Sequence, residues 1–187
     1  MKNKNRYEVI VYGRGGQGAK TTAEILAQAA LLEGYNIQAF PEFGPERSGA
    51  PVKTFIRISK KVILTHEPIV DPDCILVLDE TLLKNQEIKK GLTGKELLIV
   101  NTKKTAKELF HDENLKGTIK TLDASGISKE IIGTERPNTV ILGRFVLVSG
   151  KIKIENVIKV FRGKYQDKIG RELTEKNISA IMAAYDL

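Results

Sequence analysis

The chain has 187 residues, 41% of them hydrophobic and 28% charged, the balance of a folded globular protein and not of a disordered or fibrous one. Lys and Arg outnumber Asp and Glu by 30 to 23, a net charge of +7 that draws anionic partners such as nucleic acid, phosphorylated cofactors or acidic proteins. The single cysteine, Cys74, excludes an internal disulfide and a four-cysteine iron–sulfur cluster on this chain, and no apolar run nears the ~18 residues that span a bilayer.

Residues 1–6 are basic but lead into Glu8 and a short strand pattern, not a signal-peptide core, so a cytoplasmic protein is expected. Residues 7–12 (YEVIVY) read as a first strand, and 13–18 (GRGGQG) are too rich in glycine for regular structure. Residues 21–33 carry Ala, Ile and Leu around most of a helical circumference, with a polar stripe of Thr21, Glu24 and Gln28; Gly34 supplies a stop. Residues 35–40 (YNIQAF) read as a second strand. Strand, glycine loop, helix and strand suggest a βαβ unit with parallel neighbouring strands and a right-handed crossover.

Three prolines and two glycines stiffen residues 41–51 (PEFGPERSGAP), which also hold Glu42, Glu46 and Arg47; ordered loops of this length are often functional. Residues 52–58 and 62–64 suggest a hairpin turning at Ser59–Lys60. Residues 74–78 (CILVL) form a continuous apolar run, as in a strand buried on both faces. A helix is expected over 80–90, a strand over 97–100, a short helix over 105–110 and an edge strand over 118–122. From Ile127 onward the pattern is helical, over 138–148, 154–165 and 174–185. Ile178, Ile181, Met182 and Tyr185 make an apolar stripe on the last of these. The fold class expected is α/β: a three-layer Rossmann-like domain over 1–187, with a mainly parallel sheet, a hairpin insertion and a helical C-terminal part.

Gly13, Gly15 and Gly18 satisfy G-x-G-x-x-G between a strand and a helix, where absent Cβ atoms and free N–H groups suit a phosphate. A dinucleotide site also wants an acid at the end of the second strand, and the nearest here, Glu42, comes late. The same stretch nearly matches a phosphate-binding P-loop, but Ala19 is inserted before Lys20, which turns the lysine by about 100°. Asp79, after the CILVL run, is a faint candidate for the acid such a site needs. Tight strand–helix packing is the alternative explanation of the glycines.

His66 and His111 lack clustered acids or cysteine, which favours surface histidines over a metal site or triad. Cys74 opens a buried strand and reads as inert core. The lysines are scattered without interleaved aromatics, so solvated faces explain most of them and no nucleic-acid module is recognised. Arg47 stands in a rigid loop beside Glu46, suited either to clamp a phosphate or to a structural ion pair.

Two long stretches, V-Y-G-R-G-G-Q-G-A-K-T-T-A at 11–23 and F-P-E-F-G-P-E-R-S-G-A-P-V-K at 40–53, resemble the gamma subunit of 2-oxoacid:ferredoxin oxidoreductases. The likeness is nearest to the pyruvate/2-ketoisovalerate type, with the 2-oxoglutarate and indolepyruvate enzymes as alternatives. T-H-E-P at 65–68, D-P-D at 71–73, P-N-T-V-I-L-G at 137–143 and E-K-N-I at 175–178 fit as well.

The resemblance implies a subunit that supports oxidative decarboxylation of a 2-oxoacid to acyl-coenzyme A, with electrons passing to ferredoxin. It implies alpha, beta and delta-type partner subunits that carry thiamine diphosphate, Mg and iron–sulfur clusters, with no cofactor held by this chain alone. It implies no catalytic residue or metal ligand here, no nucleic acid and no membrane. The residues expected to face coenzyme A are Gly13, Arg14, Gly15, Gly16, Gln17, Gly18 and Lys20 in the first loop, and Glu46, Arg47 and Ser48 in the second. A stand-alone dinucleotide-binding redox domain is the competing reading.

Overall fold

A computed structural model of the chain describes residues 5–42, 49–110 and 116–187. Strand β1 (Arg6–Arg14) leads through the glycine loop into α1 (Ala19–Leu31), followed by β2 (Asn36–Pro41), β3 (Pro51–Ser59) and β4 (Cys74–Val77). A 3₁₀ turn (Glu80–Lys84), α2 (Gln86–Lys90), β5 (Leu97–Asn101), α3 (Ala106–Phe110) and β6 (Thr118–Leu122) come next. Four helices close the chain: α4 (Ala124–Ile132), α5 (Pro137–Ser149), α6 (Ile154–Ile169) and α7 (Arg171–Tyr185).

Among the described residues the sheet has six strands in the order β2-β3-β1-β4-β5-β6. β1, β4, β5 and β6 pair in parallel, whereas β3 runs antiparallel to both β1 and β2. The central strands alternate between two cores because successive side chains point to opposite faces. Val9, Val11, Ile56, Cys74, Leu76 and Ile99 face α1, α5, α6 and α7, while Ile10, Tyr12, Phe55, Ile75, Val77 and Leu98 face the short helices. That makes three layers, with the thicker helical layer on the first face.

Small residues set the helix spacing on the thick side. Ala23, Ala27, Ala29 and Ala30 of α1 are fully buried, and a Cβ on Gly143 of α5 would lie 1.9 Å from the Ile181 carbonyl oxygen of α7. Only glycine lets those two helices approach so closely.

Three expectations are corrected. β1 and β2 point the same way but are not neighbours, because β3 lies between them and pairs with nine residues of β1, from Arg6↔Ser59 to Arg14↔Pro51. Residues 62–64 form no strand, so the hairpin expected at Ser59–Lys60 is absent. The reason is topological: both edges of β3 are already taken, and the antiparallel pair close in sequence is β2 with β3. The helix expected over 80–90 breaks at Asn85, whose extended backbone and side chain, accepting from the Glu87 N–H at 3.0 Å, start α2 afresh.

Candidate functional site

The parallel strands β1, β4, β5 and β6 all end at one rim of the sheet, where open α/β proteins bind ligands. The chain leaves β1 toward β2 and β3 on one side, and later fills β4, β5 and β6 on the other. The reversal falls between β1 and β4, and there a cleft of ≈ 570 Å³ opens. Its walls are the glycine loop (Gly16, Gln17), the β4 end (Asp79, Glu80), the β5 end (Asn101 to Lys104), the start of α4 (Asp123, Ser125) and the start of α5 (Glu135 to Asn138).

The glycine loop is braced into that position. The Arg14 guanidinium donates from Nε to Asp79 Oδ2 at 3.0 Å, from Nη1 to the Gly49 carbonyl at 3.0 Å and from Nη2 to Thr81 Oγ1 at 2.7 Å. Gln17 accepts from the Arg14 N–H at 2.8 Å and donates to Asp79 Oδ2 at 3.1 Å. Burial opposes ionisation of Asp79, but hydrogen bonds from the Thr81 hydroxyl and N–H and from Gln17, with the Arg14 charge, outweigh it and hold the carboxyl below its ordinary range.

Two glycines are needed for shape. Gly18 takes a left-handed backbone, φ 81°, as it leads into α1, and a Cβ there would lie 2.6 Å from Asn138 Nδ2. Thr22 Oγ1, one turn on, donates to the carbonyls of Gly18 at 3.2 Å and Asn138 at 3.1 Å, clipping the start of α1 to the start of α5. Gly13 ends β1 under Leu78 and Ala19, which a Cβ would meet at 3.2 and 3.3 Å.

The second loop reaches the first. The Gly15 N–H donates to the Ala50 carbonyl at 2.8 Å and the Gly49 N–H to the Gly15 carbonyl at 3.3 Å. Residues 49–50 and 13–16 therefore share one rim. Glu46, Arg47 and Ser48, and also His111, lie outside the described residues. Glu42, the late-coming acid after β2, pairs with Lys53 Nζ at 2.9 Å, and Glu87 pairs with the same amine at 2.6 Å. Burial disfavours the Lys53 charge, but its bonds to Glu87 and Glu42 prevail and raise its pKa; burial pushes the adjacent Tyr12 hydroxyl up to about 12.

Lys20 is exposed and sits 3.9 Å from Glu24 on its own helix, away from the cleft walls. His66 is exposed and its Nδ1 lies 2.6 Å from Gln38 Nε2. Cys74 is buried in β4, and burial pushes its thiol far up, so it is inert core. Among the described residues no three His, Cys, Asp or Glu side chains gather as metal ligands, and no helix is long and apolar enough to cross a membrane.

Sequence reading missed the far wall of the cleft. Asn101, buried at the end of β5, donates to the Leu78 carbonyl at 2.9 Å and Ser125 Oγ at 3.0 Å, and accepts from the Ser125 N–H at 3.1 Å. Asp123 caps α4, accepting from the Gly126 N–H at 2.8 Å. Glu80 is engaged by Thr102 Oγ1 and by Lys104 Nζ, which hold its carboxyl below the usual range. The side chains of Lys103 and Arg136, exposed at the mouth, make no ion pair among the described residues. Asp79, Glu80 and Asp123 are bonded within the chain, which leaves Lys103, Arg136 and the exposed Glu135 as the charges at the mouth, beside the N-terminal turns of α1 and α5. The available signals were Asp79 directly after the CILVL run and Pro137 at the first turn of a helix.

A profile of the pyruvate ferredoxin/flavodoxin oxidoreductase family matches residues 8–187. The chain is 44% identical over 182 residues to the pyruvate/ketoisovalerate oxidoreductases common subunit gamma of Pyrococcus furiosus, covering 96% of this chain and 95% of that one. It is 42% identical over 179 residues to the pyruvate synthase subunit PorC of Methanothermobacter marburgensis, covering 96% of each. The crystal structure of the PORC subunit of Thermotoga maritima pyruvate oxidoreductase superposes with a TM-score of 0.86 at 35% identity, over 98% of this chain and 97% of that one.

Proposed function

The chain belongs to the pyruvate ferredoxin/flavodoxin oxidoreductase family, and from that membership we propose that it works as the gamma-type subunit of a heteromeric pyruvate (2-oxoacid):ferredoxin oxidoreductase. The enzyme oxidatively decarboxylates a 2-oxoacid, passes the acyl group to coenzyme A and sends electrons to ferredoxin. Alpha, beta and delta-type subunits carry thiamine diphosphate with Mg and the iron–sulfur clusters; thiamine diphosphate supplies the carbanion chemistry and the clusters the electron path. The lone, buried Cys74 does not suit a cluster on this chain.

This chain's share is binding and shaping. The cleft at the strand ends takes the phosphates of coenzyme A: Gly16, with open space where a Cβ would stand, leaves room for close approach, and Lys103 and Arg136 face the negative charge. Arg14, with its three nitrogens on Asp79, Gly49 and Thr81, acts as the brace that fixes the loop. Glu46, Arg47 and Ser48 join this reading on their sequence motif alone, which runs into Gly49 and Ala50 along the chain.

The observation that carries the reading is the coincidence of the glycine motif with a cleft at the strand-order reversal whose mouth carries Lys103 and Arg136. In the assembled complex, the Lys103→Glu/Arg136→Glu double variant raises KM for coenzyme A about tenfold or more while KM for the 2-oxoacid stays unchanged. Equal KM values for coenzyme A in variant and wild type would remove the cleft from the account.

A further inference from the structure

The end of the sheet opposite the cleft carries an irregular connection, residues 60–73, from β3 to β4. It is a fastened strap. Arg57, 3% exposed on β3, donates from Nε to Glu8 Oε1 at 2.7 Å, from Nη1 to Gln38 Oε1 at 2.8 Å and from Nη2 to the Glu67 carbonyl at 2.5 Å. Gln38 Nε2 in turn donates to the Thr65 carbonyl at 3.0 Å, and the Lys61 N–H to Ser59 Oγ at 3.0 Å. Ile69 plugs into the core beneath the short helices.

On this fixed backbone Val62 and Leu64 stand 72% and 87% exposed. Between the strap and the start of β1 runs a groove of ≈ 340 Å³, lined by Arg6, Ser59, Lys61, Val62 and Leu64 among others. Arg6 Nε is buried without a hydrogen-bond partner among the described residues, although a buried N–H normally finds an acceptor. The groove therefore joins two deficits: one guanidinium N–H, Nε of Arg6, lacking an acceptor and two aliphatic side chains lacking cover.

We propose that this groove seats an extended segment of another subunit of the oxidoreductase, one bearing a carboxylate beside a large apolar side chain. The carboxylate accepts from Arg6 and is drawn by Lys61, and the apolar group covers Val62 and Leu64. The inference rests on the subunit reading above and adds the face and the chemistry of one contact. Because the strap is ordered beforehand, little entropy is lost on docking. The contact lies at the far end of the strands from the coenzyme A cleft, so the chain has a binding end and an anchoring end.

The test uses the complete complex, co-expressed and purified through a tag on a different subunit. Val62→Asp/Leu64→Asp and, separately, Arg6→Glu are expected to lower the amount of this chain recovered by about tenfold or more, since each sets like charge or a buried acid against the docking segment. Arg6→Gln is expected to give an intermediate loss. Each isolated variant is expected to keep the wild-type thermal midpoint, which separates lost docking from lost folding. A photocrosslinking residue in place of Leu64 is expected to capture an acidic segment of another subunit. Full recovery of both charge variants beside a wild type that assembles overturns the proposal and leaves the subunit reading standing. A wild-type chain that assembles with nothing overturns both. Crosslinks only to a second copy of this chain, with self-association lost in Val62→Asp/Leu64→Asp, also overturn the proposal, by naming a different occupant.

Discussion

At the scale of single residues, glycine marks the places where backbone must pass close to something. Gly143 is the sharpest case, because the added methyl of Gly143→Ala meets the Ile181 carbonyl oxygen at 1.9 Å and backbone cannot swing aside as a side chain can. That variant is expected to lose about 3 kcal/mol of stability, or to fail to fold, by denaturant unfolding; an unchanged midpoint would mean that α5 and α7 separate freely. Gly18→Ala meets a softer neighbour, Asn138, but adds a left-handed backbone, and about 2 kcal/mol is expected from that strain.

Asp79 links residue chemistry to pH. Its folded pKa is lowered, so ionised Asp79 stabilises the fold at pH values above the ordinary carboxylate pKa of about 4, and the contribution fades as pH falls through the lowered folded value. The stability difference between wild type and Asp79→Asn should thus be widest near neutral pH and shrink below about pH 4. A difference that grows on acidification would contradict the role given to Arg14, Gln17 and Thr81.

At the scale of elements, alternation and glycine punctuation revealed most strands and helices, and even the apolar stripe of α7, of which Ile178 and Ile181 are buried and Met182 and Tyr185 pack partly buried against the same core. What they could not reveal was order. A strand's sequence states that its two faces are buried, but not which strand lies along its edge. β3 reads like any amphipathic strand, and nothing local tells that it inserts between β1 and β2 and so leaves residues 62–64 with no edge to join. Asn85 shows the other kind of miss: one capping side chain was enough to divide what periodicity read as a single helix.

The polar row Glu8, Arg57 and Gln38, side by side on β1, β3 and β2, ties three strands and the strap together. Arg57→Ala leaves the Glu8 carboxylate unpaired and the Glu67 carbonyl without its donor, and a loss of about 3 kcal/mol is expected in chemical denaturation. A loss no greater than that of an exposed arginine would show the row to be dispensable.

At the scale of the whole molecule, half of the site was legible. The glycine motif announced a loop between strand and helix; its closeness to residues 49–50 came only with the pairing of β3 against β1, which sets Pro51 opposite Arg14. The other half was not legible, because Lys103, Arg136, Asn101 and Ser125 come from separate elements that only the parallel order of β4, β5 and β6 brings to one rim. Scattered lysines in the sequence become a charged cleft mouth only after folding.

On the proposed function, this chain shapes the assembly and the chemistry lies on other chains. The most direct test is reconstitution: the other subunits purified with and without this chain, assayed for ferredoxin reduction that requires both a 2-oxoacid and coenzyme A. Activity that appears only when this chain is added, with none from the chain alone, is the predicted result. Full coenzyme A-dependent activity without it, or turnover by the isolated chain, would contradict the account.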